Sequence, residues 1–314
     1  MKQRFSRRAF LATALGAASA RAARSSAAQN TGARPLRLGG PIFLKSEDPR
    51  ELAREHRRLG YSAAYCPPAT AEDGARVRAI REAFAAENVV IAEVGAWVNM
   101  LDPDPEKRRK NMEYVTARLA LAEAVAARCC VDIAGSYHPK VWYGPHPDNL
   151  SPKFFDATVE NCRKVIDAVK PARTLFTIEM MGWNLPDGPD AYLKLIRAVD
   201  RKAFGVHMDA CNGINSPERF YRSGEFITDC FRKLGRWVAS CHAKDLEWKV
   251  ELNVHFQETI PGRGEVDYRS YLRNLASLPV DAPLMLEHLK TPEEYAEGKE
   301  YILRIGRELG LAFA

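Results

Sequence analysis

The chain reads as a single (β/α)8 barrel of the α/β class. Three observations predict it. Eight short apolar runs alternate with longer stretches of helical period across about 280 residues, which is the arithmetic of such a barrel. An open doubly wound sheet would usually carry a G-x-G-x-x-G turn after an early strand, and Gly39-Gly40-Pro41 is not one. No internal repeat, low-complexity linker or break in composition divides the body.

The candidate strands end near Ile42, Cys66, Val94, Ile133, Met180, Asp209, His242 and His288. Between them the apolar residues recur at helical spacing. Met112, Val115, Leu119, Ala122 and Ala126 stripe the third helix, and Phe155, Val159, Cys162, Ile166 and Val169 the fourth. Pro49, Pro105, Pro152, Pro189, Pro217 and Pro292 each stand near the first turn of a helix, where the missing N–H costs nothing. The last helix places Tyr295, Ile302, Ile305 and Leu309 on one face.

Composition excludes several classes. With 46% hydrophobic and 27% charged residues, the 314-residue chain is neither disordered nor fibrous. No stretch approaches the roughly 20 apolar residues of a membrane span. The net charge of +6 is carried by Lys2, Arg4, Arg7, Arg8, Arg21 and Arg24, so the body is neutral and lacks the basic footprint of a nucleic-acid partner. Ser6-Arg7-Arg8-Ala9-Phe10-Leu11, followed by a mildly apolar run and small-residue sites, resembles a twin-arginine export signal. The expected organisation is a signal peptide over residues 1–28 and a barrel over 29–314, exported to the periplasm or beyond. Seven cysteines without a C-x-x-C pair read as buried core residues.

In such a barrel the chemistry comes from the C-terminal ends of the strands and the loops that follow. Four successive candidate ends carry a metal-capable residue: Glu179, Asp209, His242 and Glu287, about one βα unit apart. Three carboxylates and an imidazole make a hard, oxygen-rich site for one divalent metal, Mn2+ foremost, with Mg2+, Co2+ or Zn2+ also compatible. Unpaired acids at the ends of apolar strands are costly to bury, which argues for a shared purpose. Trp183, Trp142, Lys244 and Arg263 are the candidate substrate contacts. The segment from Ser136 to His146 suits a lid over a carbohydrate, and His138 or His146 could donate a proton to a leaving group. His207, on the face of Asp209, reads as a deeper core residue, His255 as a lid residue, and His56 and His288 receive no role.

Ile178-Glu179, Met208-Asp209, His242-Ala243-Lys244-Asp245, Pro261-Gly262-Arg263-Gly264-Glu265-Val266-Asp267 and Leu286-Glu287 together resemble the xylose-isomerase-like barrel family, over roughly Leu36 to Leu309. That family contains sugar isomerases, sugar phosphate isomerases/epimerases and ketose 3-epimerases. The resemblance implies that Glu179, Asp209, His242 and Glu287 bind one divalent metal and that Glu179 and Glu287 form an acid/base pair. A metal on a sugar carbonyl and its neighbouring hydroxyl acidifies the C–H between them, and a carboxylate beside it can take the proton. The expected activity is isomerisation or epimerisation, through an enediolate, of an unphosphorylated sugar or derivative. The chain also resembles the barrel subunits of bacterial C-glycoside deglycosidases, which implies a lyase acting on 3-keto glycosides with a metal, a histidine and a small accessory subunit. A non-catalytic carbohydrate-binding barrel is a third class. A nuclease like endonuclease IV needs more strand-end histidines. The protein partners open to the chain are copies of itself or such a subunit.

Overall fold

A computed structural model describes residues 34–314; the signal peptide expected over residues 1–28 lies outside them. The elements in chain order are β1 (Leu38–Gly39), α1 (Pro49–Arg58), β2 (Ala63–Tyr65), α2 (Gly74–Ala86), β3 (Val90–Gly95), α3 (Pro105–Val125), β4 (Cys129–Asp132), α4 (Pro152–Val169), β5 (Leu175–Glu179) and α5 (Pro189–Val199). They continue as β6 (Phe204–Met208), α6 (Ala210–Gly213), α7 (Pro217–Tyr221), α8 (Ser223–Leu234), β7 (Val238–Ala243), β8 (Asp245–Trp248), β9 (Phe256–Thr259), α9 (Tyr268–Ala276), β10 (Leu284–Leu286) and α10 (Pro292–Glu308). Eight parallel strands close a barrel in the order β1-β10-β7-β6-β5-β4-β3-β2, and β8 and β9 form a separate antiparallel ribbon. The fold is the expected α/β barrel. Seven strands end within two residues of the expected position, and the first ends three residues early, at Gly39.

Local chemistry explains the helix starts. Asp48, Asp104, Ser151, Ser216 and Thr291 each accept a backbone N–H from the first turn and are each followed by proline, which fixes φ where no donor is needed. In α4 the buried residues include Phe155, Val159, Cys162 and Ile166, so the striped face is the one that meets the barrel. Six of the seven cysteines are buried, Cys66 is partly so, and all are free thiols.

Alternation along the strands sorts the side chains. Phe176 and Ile178 of β5, and Phe204, Val206 and Met208 of β6, belong to the core shared with the helices. Thr177, Glu179 and His207 then take the opposite face, and Glu179 stands opposite His207 in register. At β1 the strands approach so closely that a Cβ on Gly39 would meet the Ala63 carbonyl oxygen. No described helix is long and apolar enough to cross a membrane.

His56, on α1, is buried at 4% exposure between Tyr61 and Phe84, with no hydrogen-bond partner at Nδ1. Burial lowers its pKa to about 4. The unfolded chain therefore takes up a proton as pH falls through about 6.5, while the folded chain does not until about 4, and stability is lost over that window. His56→Leu should remove about 2 kcal/mol of the stability difference between pH 7 and pH 5, read from urea midpoints of both proteins at each pH.

Candidate metal centre

Four elements deliver the site. Glu179 is the last residue of β5, and Asp209 follows β6 and caps α6 through Oδ1, which accepts the Asn212 N–H at 3.1 Å. His242 lies in β7, and Glu287 follows β10. One ligand atom from each of the four lies within 4.8 Å of the others. His242 Nδ1 is 2.7 Å from Glu179 Oε1, 2.9 Å from Glu287 Oε1 and 3.8 Å from Asp209 Oδ2. Lys244 Nζ stands 2.7 Å from Asp209 Oδ2 and 3.0 Å from Glu287 Oε1. A carboxylate oxygen that faces one ammonium keeps a further lone pair, so Lys244 balances the charge of both oxygens without saturating them. Hard donors with free lone pairs fit a divalent cation.

The charges set one another. Burial would lower the basicity of His242, but Glu287 and Glu93 outweigh it and raise its pKa well above the ordinary imidazole value. Burial likewise opposes the ammonium of Lys244, and Asp209, Glu287 and Glu179 reverse that effect. Asp209, desolvated but beside Lys244 and His242, is held far below the usual carboxylate range. Desolvation would also raise Glu287, yet His242 and Lys244 bring it down to about 2. Glu179 goes the other way: its burial and the charges of Glu287 and Asp209 exceed the pull of His242, and its pKa is raised.

Beneath this set lies a carboxylate that the strand-end pattern misses. Glu93, inside β3, meets His207 Nε2 at 2.9 Å and His242 Nε2 at 3.0 Å. Glu93, His207 and His242 are also close enough to share an ion, but hydrogen bonds already join them. His207 is the buried residue expected, and its partner is Glu93. The available signal was an acid interrupting the apolar run from Val89 to Val94.

A cavity of about 710 Å3 opens above the four ligands, lined by Glu179, Glu287, Lys244 and Asn212 and walled by aromatic side chains including Tyr65, Trp97, Trp142 and Tyr143. Trp142 and Lys244 are thus brought to the pocket. Trp183 is not: it is 63% exposed and outside the lining. Arg263 lies at the surface, paired with Glu297 at 2.6 Å. His138 and His146 do not line the pocket either; the Nδ1 atom of His138 accepts the N–H groups of Lys140 and Val141, and that of His146 the N–H of Asp148, so both rings brace their own loop. His255 pairs with Glu251 in the loop between β8 and β9. His288, given no role by the sequence, lines the pocket and bonds Glu258 Oε2 at 2.7 Å. Glu258, on β9, returns to Lys244 at 3.2 Å. Its sequence context, a ribbon inside a long loop, offers no signal for this.

The residues from Pro261 to Asp267 matter through Asp245. Its carboxylate accepts the N–H groups of Leu246, Gly262, Gly264 and Val266 at 2.8 to 3.1 Å. A Cβ on Gly264 would collide with Asp245 and the Leu246 carbonyl. The motif thereby fastens the long loop behind His242 and Lys244.

Residues 53–305 match the family described as Xylose isomerase-like TIM barrel. The chain belongs to this family. No curated protein matches the sequence. Among solved structures of this fold, a xylose isomerase-like TIM barrel protein from Mycobacterium smegmatis in complex with magnesium superposes with TM-score 0.61 at 18% identity, covering 86% of this chain and 96% of that one. D-psicose 3-epimerase from Clostridium cellulolyticum, solved with D-tagatose, gives 0.59 at 13% identity over 85% and 95%. Endonuclease IV from Thermus thermophilus gives 0.63 at 16% identity over 87% and 99%. At these identities the likeness is one of fold, and a xylose isomerase-like barrel hosts more than one chemistry.

Two outcomes are expected. Saturating Mn2+ should raise the melting temperature by several degrees, because only the folded chain assembles the four ligands, and His242→Ala should abolish the shift in the same thermal scan. Asp245→Ala should destabilise the barrel by about 3 kcal/mol in chemical denaturation, since four N–H groups lose their acceptor.

Proposed function

We propose that the protein is a divalent-metal-dependent enzyme that moves a proton beside the carbonyl of an unphosphorylated sugar or sugar derivative, as an epimerase or isomerase. What carries the reading is that Glu179 and Glu287 line one pocket and approach the same ligand atom, His242 Nδ1, at 2.7 and 2.9 Å, so that two carboxylates stand beside one ligand set. One of the two carboxylates takes the proton and the other returns it. The metal held by Glu179, Asp209, His242 and Glu287, Mn2+ foremost, would draw electron density from the carbonyl and acidify the neighbouring C–H. Lys244 keeps Asp209 and Glu287 charged, and Trp97, Trp142 and Tyr65 offer apolar faces to the carbon side of a sugar ring.

The lining supports an unphosphorylated substrate. It holds Glu179, Glu258 and Glu287 against Lys244 and His288, with no arginine, and Lys244 is already engaged by carboxylates. A phosphate dianion, or a nucleic-acid backbone, would find no uncommitted cationic side chain there. We also propose export through residues 1–28, on the twin-arginine pattern at Ser6-Arg7-Arg8.

A second reading, elimination from a 3-keto glycoside, is favoured by one observation. A neighbouring groove of about 650 Å3 shares Pro41 and Tyr65 with the pocket and is walled by Ile42, Leu44, Pro67 and Pro68. The combined space exceeds what one hexose fills, and its apolar half suits an aglycone. Both reactions begin with the same proton removal, so product analysis on a 3-keto glycoside separates them: a released aglycone decides for elimination.

The shared step is tested by solvent-deuterium incorporation into recovered sugar. Glu179→Gln and Glu287→Gln each keep an oxygen ligand of similar size but lose the basic carboxylate, so exchange should fall by roughly 10² or more in each. Normal exchange in both would place proton abstraction elsewhere.

A further inference from the structure

The ligand set contains one nitrogen, and its usefulness depends on where the imidazole keeps its hydrogen. His242 Nδ1 faces Glu179 and Glu287 at 2.7 and 2.9 Å. Left to these carboxylates, a neutral ring would place its hydrogen on Nδ1, and a metal would find no lone pair there. Something on the other side of the ring must compete for that hydrogen.

Glu93 is in that place. Its side chain is wholly buried, with Oε1 3.0 Å from His242 Nε2 and Oε2 2.9 Å from His207 Nε2. Ser240 Oγ–H donates to Oε2 at 3.0 Å. An ionised carboxylate only accepts, so each Nε2 facing it carries hydrogen. One residue thus addresses two rings, and both Nδ1 atoms turn toward Glu179, that of His207 at 3.7 Å and without a hydrogen-bond partner.

We propose that Glu93 is a positioning residue that locks His242 and His207 in the Nε2–H tautomer and so keeps the His242 Nδ1 lone pair available to the metal. The inference rests on the metal reading above and concerns the ring behind the ligands. It makes a specific demand of Glu93→Gln, which preserves shape and volume. A glutamine offers one acceptor and one amide donor, so it can satisfy Nε2–H on one ring only; Ser240 Oγ–H also needs the acceptor on the His207 side, so His242 is the ring that must turn a lone pair to the amide and carry its hydrogen on Nδ1. Outer partners of a ligating histidine typically change metal affinity about 10- to 100-fold.

The test uses the full barrel and two readouts that need no turnover. Calorimetric titration of metal-free protein with Mn2+ should show affinity about 10- to 100-fold weaker in Glu93→Gln than in the parent. Long-range 1H–15N correlation spectra of ring-labelled, Mg2+-loaded protein should show both buried histidines as Nε2–H in the parent and at least one as Nδ1–H in the variant. Ser240→Ala removes the third hydrogen bond to Glu93 without dictating a tautomer, and should leave Mn2+ affinity within about threefold, which a general packing role for the cluster would not. Mn2+ affinity unchanged in Glu93→Gln overturns the proposal, as does a weakened variant with both rings still Nε2–H. Should Glu93→Gln fail to fold, the parent spectrum decides: Nδ1–H on His242 overturns the proposal. A parent that takes up no Mn2+ overturns the metal reading with it, whereas absent deuterium exchange would strike only the proposed reaction.

Discussion

Glu179, Asp209 and Glu287 at the barrel mouth, with Glu93 below them, are four carboxylates withdrawn from water by a closed sheet, and His242 and Lys244 stand among them to balance their repulsion. Taking such charges out of water costs several kcal/mol per ion unless geometry and hydrogen bonding compensate. The compensation here is shared. His242 touches carboxylates on both sides of its ring, and Lys244 reaches three acids from a position 2% exposed. Each charge is tolerable only because the others are present, and the loops around the mouth are arranged to keep them so.

The barrel supplies this arrangement through two simple periodicities. Alternation along a strand turns every second side chain inward, so Glu179 and His207 share the interior while Ile178 and Met208 face the helices. Closure then brings β3 within reach of β6 and β7 across the interior, which is how Glu93 meets His207 and His242. Behind the mouth, Asp245 gathers the backbone of the Pro261–Asp267 segment and fixes the long seventh connection from which Glu258 approaches.

The rim has a different character. Of the thirteen large hydrophobic side chains that stand exposed among the described residues, twelve lie in the segments between a barrel strand and the long helix that follows it, Tyr221 in the short α7 and Trp248 in β8 among them, and Tyr114 of α3 is the exception. Apolar surface is thus concentrated on the face that carries the ligands. The proposed chemistry gives such a rim a use: a sugar or glycoside presents hydroxyls to the charged floor and carbon faces to the walls.

Much of this was legible in the chain itself. Helix starts follow from local pairs such as Asp48-Pro49 and Ser151-Pro152, whose capping and dihedral preferences need no tertiary partner. The eight strands, and the acids and imidazole at four of their ends, follow from hydrophobic period and spacing, since a parallel strand buried on both faces writes itself as an apolar run with a polar residue where it emerges. Other features are invisible in one dimension. Glu93 and His242 are distant in sequence and meet only because the sheet closes; Glu258 is one of many acids until the β8–β9 ribbon folds it toward Lys244; Trp183 and Arg263 look like sugar contacts until their loops turn outward. The barrel and the residues able to bear charge at its mouth are legible along the chain, because those depend on local periodicity. Which charges face one another, and which loop side chains reach the pocket, was decided by the tertiary structure, because long-range electrostatics and loop paths depend on how distant strands are brought together.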